Sequence, residues 1–265
     1  MKRMKAREFL MQFASLPGKA LGSVQLTICT RQARMLLLGR KKADGRDIPG
    51  LQEFAWKAWT AGRMSACDDL FADYALMLVE TAHWEVRELL RKAKRNHVSR
   101  WRDQLPFSAG AADPAIRYRS MRMQFLPGSH AAMALALILQ MDGVVHVLGA
   151  MVRMGILKRQ DAGQEIDALT SGIRSMMTGP GAWVPTGCSR RDLAERNDTA
   201  VAAVKCLMGR SFIDRSLFSD PGELCDYFAC YGYRPEHALV VGPQTLSGYS
   251  AGRETEGPLP GAISR

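Results

Sequence analysis

The chain lacks the short signatures by which most metal and nucleotide enzymes announce themselves. No pair of cysteines forms a C-x-x-C, and no group of His and Cys has zinc spacing. The six cysteines are Cys29, Cys67, Cys188, Cys206, Cys225 and Cys230. Only Cys225 and Cys230 are close, and their separation suits neither a zinc knuckle nor a redox pair. A chain of 265 residues does not need disulfide staples. Six reduced thiols in a cytosol are expected, most of them packed as small hydrophobes. No glycine-rich loop has Walker or Rossmann spacing. The basic start MKRMKAREFLMQFASLPG has too short an apolar part, broken by Glu8 and Gln12, for a cleaved leader.

Long uninterrupted apolar runs are also missing. The longest apolar stretch, residues 131–157, contains Gln140, Asp142, His146 and Arg153, and Gly143, Gly149 and Gly155 punctuate it. A membrane span needs about 20 nearly uncharged residues, so this stretch is expected to form a buried helical hairpin, with helices at 130–141 and 144–158. The remainder is ordinary globular composition, with 47% hydrophobic, 23% charged and 8% aromatic residues, which argues against a disordered or fibrous chain.

Charge is present and unevenly placed. The net charge is +10, and residues 1–46 hold eleven Lys/Arg against two acids, a balance of +9. Residues 47–130 carry +2 and residues 131–265 carry −1. A basic excess confined to one end points to a polyanion, nucleic acid or an acidic membrane, rather than to a merely solvated surface.

Along the chain, residues 1–20 form a basic arm closed by Pro17-Gly18. In SVQLTICT, residues 23–30, Val24, Leu26 and Ile28 alternate with Ser23, Gln25 and Thr27. That period of two predicts a short strand with one polar face. A short helix, RQARMLLLGR, ends at Gly39, and KKADGRDIPG has turn chemistry. Leu51, Phe54, Ala55, Ala58 and Trp59 recur at helical spacing. Residues 67–104 read as one or two long helices, ending in RKAKRNHVSRWR with six bases and no acid. IRYRSMRMQF, residues 116–125, is a second strand candidate. A further helix begins near Asp161, a loop covers 178–188, and Ser189 with Asp192 has capping-box spacing at the head of a helix that ends at Gly209. The tail from Gly242 is rich in Gly, Pro and Ser and is expected to be disordered.

Four constellations could carry catalysis, and each has a plainer reading. GYSAG, residues 248–252, matches a nucleophile elbow, but that fold places its histidine after the serine, whereas the last histidine here is His237. Glu80 and His83 form a single E-x-x-H, where a di-iron bundle needs two. Asp142 and His146 share a helix face but have no nucleophile beside them, which favours a paired polar couple. Asp68, Asp69 and Asp73 could hold a hard cation, although acids on one helix more often cap it.

The first strand carries the sharper hypothesis. Strand, helix, loop and helix is the order of a ribbon-helix-helix unit, residues 23–63. Two chains would pair their strands into a ribbon, and such ribbons enter the DNA major groove. Gln25 offers a bidentate amide to adenine and Thr27 contacts either base type. Val24, Leu26 and Ile28 would face the dimer core. Arg31, Arg34, Arg40, Lys41 and Lys42 would hold phosphates. The rival ribbon is the second strand, with Arg117, Arg119 and Arg122; it is less favoured because two of its arginines share a face with Met121, Met123 and Phe125.

These residues also carry a resemblance. SVQLTICTRQARMLLLGR followed by IPGLQEFAWKAW resembles the opening of an integrating conjugative element protein family, whose members show a TRTAxRLFxGR stretch and then IxGLxxF. DDLFAD, residues 68–73, is similar to its DDPYAD patch, with Leu70 in place of the proline. MQF, residues 123–125, resembles its LxF strand, and residues 189–209 resemble its TRxDxAxxNxxAxxAxxxMG block. The aromatic-rich segment after LxF is replaced here by LPGSHAAMALA. Order and spacing agree over roughly residues 21–210. Some members are similar to AcaB-type activators of plasmid conjugation, described as ribbon-helix-helix DNA binders. The resemblance therefore implies a DNA-binding dimer that switches on transfer genes; it assigns no functional residue.

The expectation is a mainly α protein with one or two short β ribbons. A basic arm (1–20) precedes one mostly helical domain (21–240) and a tail (241–265). Its partners are double-stranded DNA and a second copy of itself in the cytoplasm, with no membrane, no small-molecule substrate and no cofactor. Two alternatives are an accessory protein of the transfer machinery and a metal-dependent enzyme built on Glu80 and His83.

Overall fold

Two short antiparallel ribbons are set against eight helices among the described residues. The computed structural model describes residues 22–41, 47–99, 119–125, 129–210, 212–213 and 220–229. The arm at 1–20, the GYSAG motif and the tail from Gly242 lie outside them.

Strand β1 (Gly22–Ile28) leads through Thr30 into α1 (Arg31–Leu38). The Thr30 hydroxyl accepts the Ala33 N–H at 3.2 Å, satisfying one of the orphan donors of the first turn. Gly39 ends the helix at φ 73°, a left-handed angle that costs an L side chain energy. Within the expected turn region two strands of two residues each, β2 (Arg40–Lys41) and β3 (Asp47–Ile48), pair antiparallel. Helix α2 (Leu51–Ala66) then buries Leu51, Phe54, Ala55, Ala58, Ala61 and Met64, the three-and-four spacing of one helix face.

Asp69 caps α3 (Leu70–Ala93), accepting the Ala72 N–H, and the helix runs on into a π-helical turn, Lys94–Ser99. Strand β4 (Arg119–Phe125) precedes α4 (Ser129–Arg153). The hairpin expected within 130–158 is instead one continuous helix. Gly143 does not break it, because packing on several neighbours outweighs a helix-interior glycine penalty of about 1 kcal/mol. The turn comes later, at Gly155 (φ 71°), and leads into α5 (Arg159–Thr178). By length and composition α4 could cross a membrane. In this fold α1, α2, α3 and α5 all pack on it, so it is the central core helix.

The block at 189–209 is two helices rather than one. The capping box at Ser189 and Asp192 is present and starts α6 (Arg190–Ala194). Arg196 takes φ 50°, and Asn197 then caps α7 (Asp198–Gly209) through the Ala200 N–H. A short α8 (Pro221–Ala229), which no sequence pattern suggested, packs on both. Phe228 meets Phe71 and Tyr74 edge-on, joining this group to α3. Leu26 and Ile28 of β1 belong to the same contiguous core as these helices.

Candidate nucleic-acid interface

The two strand candidates, rivals in sequence, are partners. β1 pairs antiparallel with β4 of the same chain, with Gln25 opposite Arg122 and Thr27 opposite Ser120. This corrects the expectation that the ribbon needs two chains. It also redirects Leu26 and Ile28, which were assigned to a dimer core and instead are buried in the chain's own core with Met123. The reason is apolar periodicity: both strands carry hydrophobic residues at alternate positions, so pairing them closes one apolar face over the helices.

The opposite face is polar. Gln25 and Thr27 of β1 and Ser120 and Arg122 of β4 are all exposed. Gln25 donates a side-chain N–H to the Ser120 hydroxyl at 3.0 Å, a diagonal cross-strand contact. An amide nitrogen has two donors, so this bond orients the Gln25 amide without exhausting it. Ser120 was not anticipated. The signal was there, since it alternates with Met121 and Met123, but it only matters once β4 is known to lie beside Gln25.

The corner where β1 enters α1 is fixed by Asp142 of α4. Its carboxylate is buried and accepts the Cys29 N–H at 2.8 Å, the Thr30 N–H at 2.8 Å and the Thr30 hydroxyl at 2.6 Å. Three donors on one buried carboxylate make a strong, directional anchor. Burial and then the Asp142 charge push the Cys29 thiol above its ordinary pKa. Asp142 is therefore the clamp of the ribbon and not half of an Asp142–His146 couple.

Cations continue from this corner. Arg31 and Arg34 are exposed on α1, and Arg40 and Lys41 are exposed on β2. Lys42 and Arg117 lie outside the described residues, as does the Arg119 side chain; the Arg119 backbone pairs with Ile28.

The other constellations are accounted for by packing. Glu80 is bonded to His130 at 3.0 Å, both side chains being buried. Burial, with help from Arg87 and His130, holds His83 below the ordinary imidazole value. Asp68 and Asp73 both receive the Arg190 guanidinium, and Ser65 also donates to Asp73. These acids join α3 to α6. Among the described residues no group of three or more His, Cys, Asp and Glu is placed to hold a metal ion. The thiols differ from expectation: Cys188 and Cys225 are buried, Cys29 is half-buried, and Cys67 and Cys206 are exposed. Cys230 is outside the described residues. Burial, with Asp192 and Asp69 nearby, pushes the Cys188 thiol up to about 12, so it is no thiolate nucleophile at neutral pH.

A helical body that presents a two-stranded ribbon, apolar inside and polar outside, with cations beyond it, defines the class: a mainly α protein with a short antiparallel ribbon on its surface. Within that class the chain belongs to the AcaB family of transcriptional regulators, whose family model matches residues 16–214. The crystal structure of selenomethionine-containing AcaB from uropathogenic E. coli is similar over 72% of this chain and 96% of that one, at 12% identity and a TM-score of 0.47. No curated protein matches the chain.

Proposed function

We propose that the protein is a non-enzymatic, cytoplasmic DNA-binding regulator of conjugative transfer genes on a mobile element, acting as a homodimer. The observation that carries this reading is the outward face of the β1–β4 ribbon, with Gln25, Thr27, Ser120 and Arg122 exposed over a buried apolar face. The major groove is about 12 Å wide and admits a two-stranded ribbon. Gln25 and Thr27 are the base readers, by the amide–adenine match and the adaptable hydroxyl. Arg122, the remaining member of the rival strand with a described side chain, joins them on the same surface; an arginine suits guanine. Arg31, Arg34, Arg40 and Lys41 neutralise phosphates; Lys42 and the arm at 1–20, expected from the sequence to do the same, lie outside the described residues. In this reading residues 21–240 act as one unit and 241–265 as a tail. The family membership supports regulation of transcription; the mobile-element setting follows from the resemblance of residues 21–210. A second copy would place its ribbon about one helical turn away, giving a two-fold site.

Footprinting across the element's own promoters, followed by competition, tests the proposal. One operator should be preferred over random duplex by ~10³-fold or more. Gln25→Ala should relax base preference, while Lys41→Ala should weaken all duplexes alike. Equal affinity for operator and random duplex would leave only an accessory protein that grips DNA without reading it.

A further inference from the structure

One chain builds the ribbon, and the helices behind it repeat the same arrangement. β1 and β4 are each seven residues long, and their register is symmetric about the Gln25–Arg122 pair at the middle of both. An antiparallel strand pair carries a local two-fold axis, which here exchanges Gln25 with Arg122. The same exchange relates Leu26 to Met123, and both are buried. β1 leads after two residues into α1 and then, beyond the β2–β3 pair, into α2; β4 leads after three residues into α4 and then α5. Strand, helix and helix therefore occur twice. α1 and α4 pack on each other, and each packs on the second helix of the opposite half as well as on its own. α2 also meets α5. The halves are unequal, with 8 residues in α1 against 25 in α4, and α4 packs on α3 besides.

A ribbon made by two identical chains would set the same residue on both sides of that axis, and its DNA subsite would mirror the symmetry as a palindrome. This ribbon does not. Gln25 and Arg122 are exposed opposite each other, and they are different readers. A side-chain amide matches N6 and N7 of adenine, whereas a guanidinium matches O6 and N7 of guanine. The exchange also sets Gln124 in the position that corresponds to Thr27. Both strands already belong to one chain, so no second copy is needed to complete the ribbon.

We propose that the chain is an internal dimer of two ribbon-helix-helix halves, whose one ribbon reads a non-palindromic subsite, with Gln25 selecting adenine on one side of the axis and Arg122 selecting guanine on the other. This rests on the DNA-binding reading and deepens it: each subunit of a regulator would then recognise a subsite that has a direction. The test uses the full chain and a library of duplexes with a randomised centre. The wild type should select a core that differs from its own reverse complement. A duplex trimmed to that core, within one helical turn of about 10 bp, should bind one chain by native mass spectrometry. Arg122→Gln gives the ribbon the same residue on both sides of the axis. It should exchange the selected guanine for adenine, keep the adenine read by Gln25, and lose about tenfold on the wild-type core. Gln25→Arg should make the converse exchange. A palindromic trimmed core, two chains on that core, or a guanine that Arg122→Gln still selects overturns the internal dimer and leaves the regulator standing. Should Arg122→Gln fail to fold, the wild-type core and its stoichiometry decide alone. A library that yields no preferred core removes the reading of DNA sequence itself, and the directional subsite with it.

Discussion

Asp142 shows how much one side chain decides. Its carboxylate receives three hydrogen bonds from Cys29 and Thr30, at the point where β1 turns into α1. Asp142→Ala would leave two backbone N–H groups unanswered near the core, at a cost on the order of 3 kcal/mol. Urea unfolding should show that loss; an unchanged midpoint would mean that the corner is held by other contacts. Asp69 makes the opposite point. It caps α3, yet burial pushes its carboxyl from 3.8 to about 6. The folded state therefore binds the proton more tightly than the unfolded chain. The associated stability is complete below about pH 4 and is lost as pH rises through 6. At about 1.4 kcal/mol per unit, the full difference is on the order of 3 kcal/mol. Asn caps as well as Asp and carries no charge. Asp69→Asn should thus gain on the wild type between pH 4 and 7, as measured by urea titrations across that range. A constant difference would show that the charge of Asp69 is not disfavoured in the fold.

At the scale of elements, the β2–β3 hairpin is pinned by two glycines in contact. A Cβ on Gly50 would lie 2.5 Å from the Gly39 nitrogen and 2.6 Å from the Leu38 carbonyl carbon. Those are backbone atoms and cannot step aside. Gly50→Ala should cost on the order of 2 kcal/mol, about 5 °C in melting temperature, and it should displace Arg40 and Lys41. Gly143 is the control: nothing lies within 4 Å of where its Cβ would be. Gly143→Ala should therefore stabilise α4 by about 0.5–1 kcal/mol. Melting curves that rank the two variants the other way round would refute this account of the hairpin.

For the whole molecule, the organising fact is the separation of a central apolar helix from a cationic edge. α4 sits among four helices, while α1 and β2 carry the exposed Arg31, Arg34, Arg40 and Lys41. If Arg31, Arg34, Arg40 and Lys41 each neutralise a phosphate, log K should fall with log salt with a slope of about −3.6 per subunit from these four alone. Filter binding or fluorescence anisotropy over a salt series measures it. A slope near zero would remove backbone contact from the mechanism.

Much of this was legible in the chain itself. The period-two pattern of residues 23–28, the stop at Gly39 and the apolar face of α2 are local, and local sterics and hydrogen bonding specify them. The outward positions of Gln25 and Thr27 followed from the same alternation. What sequence order does not encode is which distant segments meet. Residues 119–125 lie about a hundred positions from β1, and only burial of both apolar faces against one core selects that pairing over a pairing between chains. The same holds for Asp142 beneath Thr30 and for Glu80 against His130, where a buried charge finds its donor through tertiary packing. It also decided whether Gly143 breaks a helix, since local propensity argues for a break and contact with four neighbouring helices argues more strongly against it.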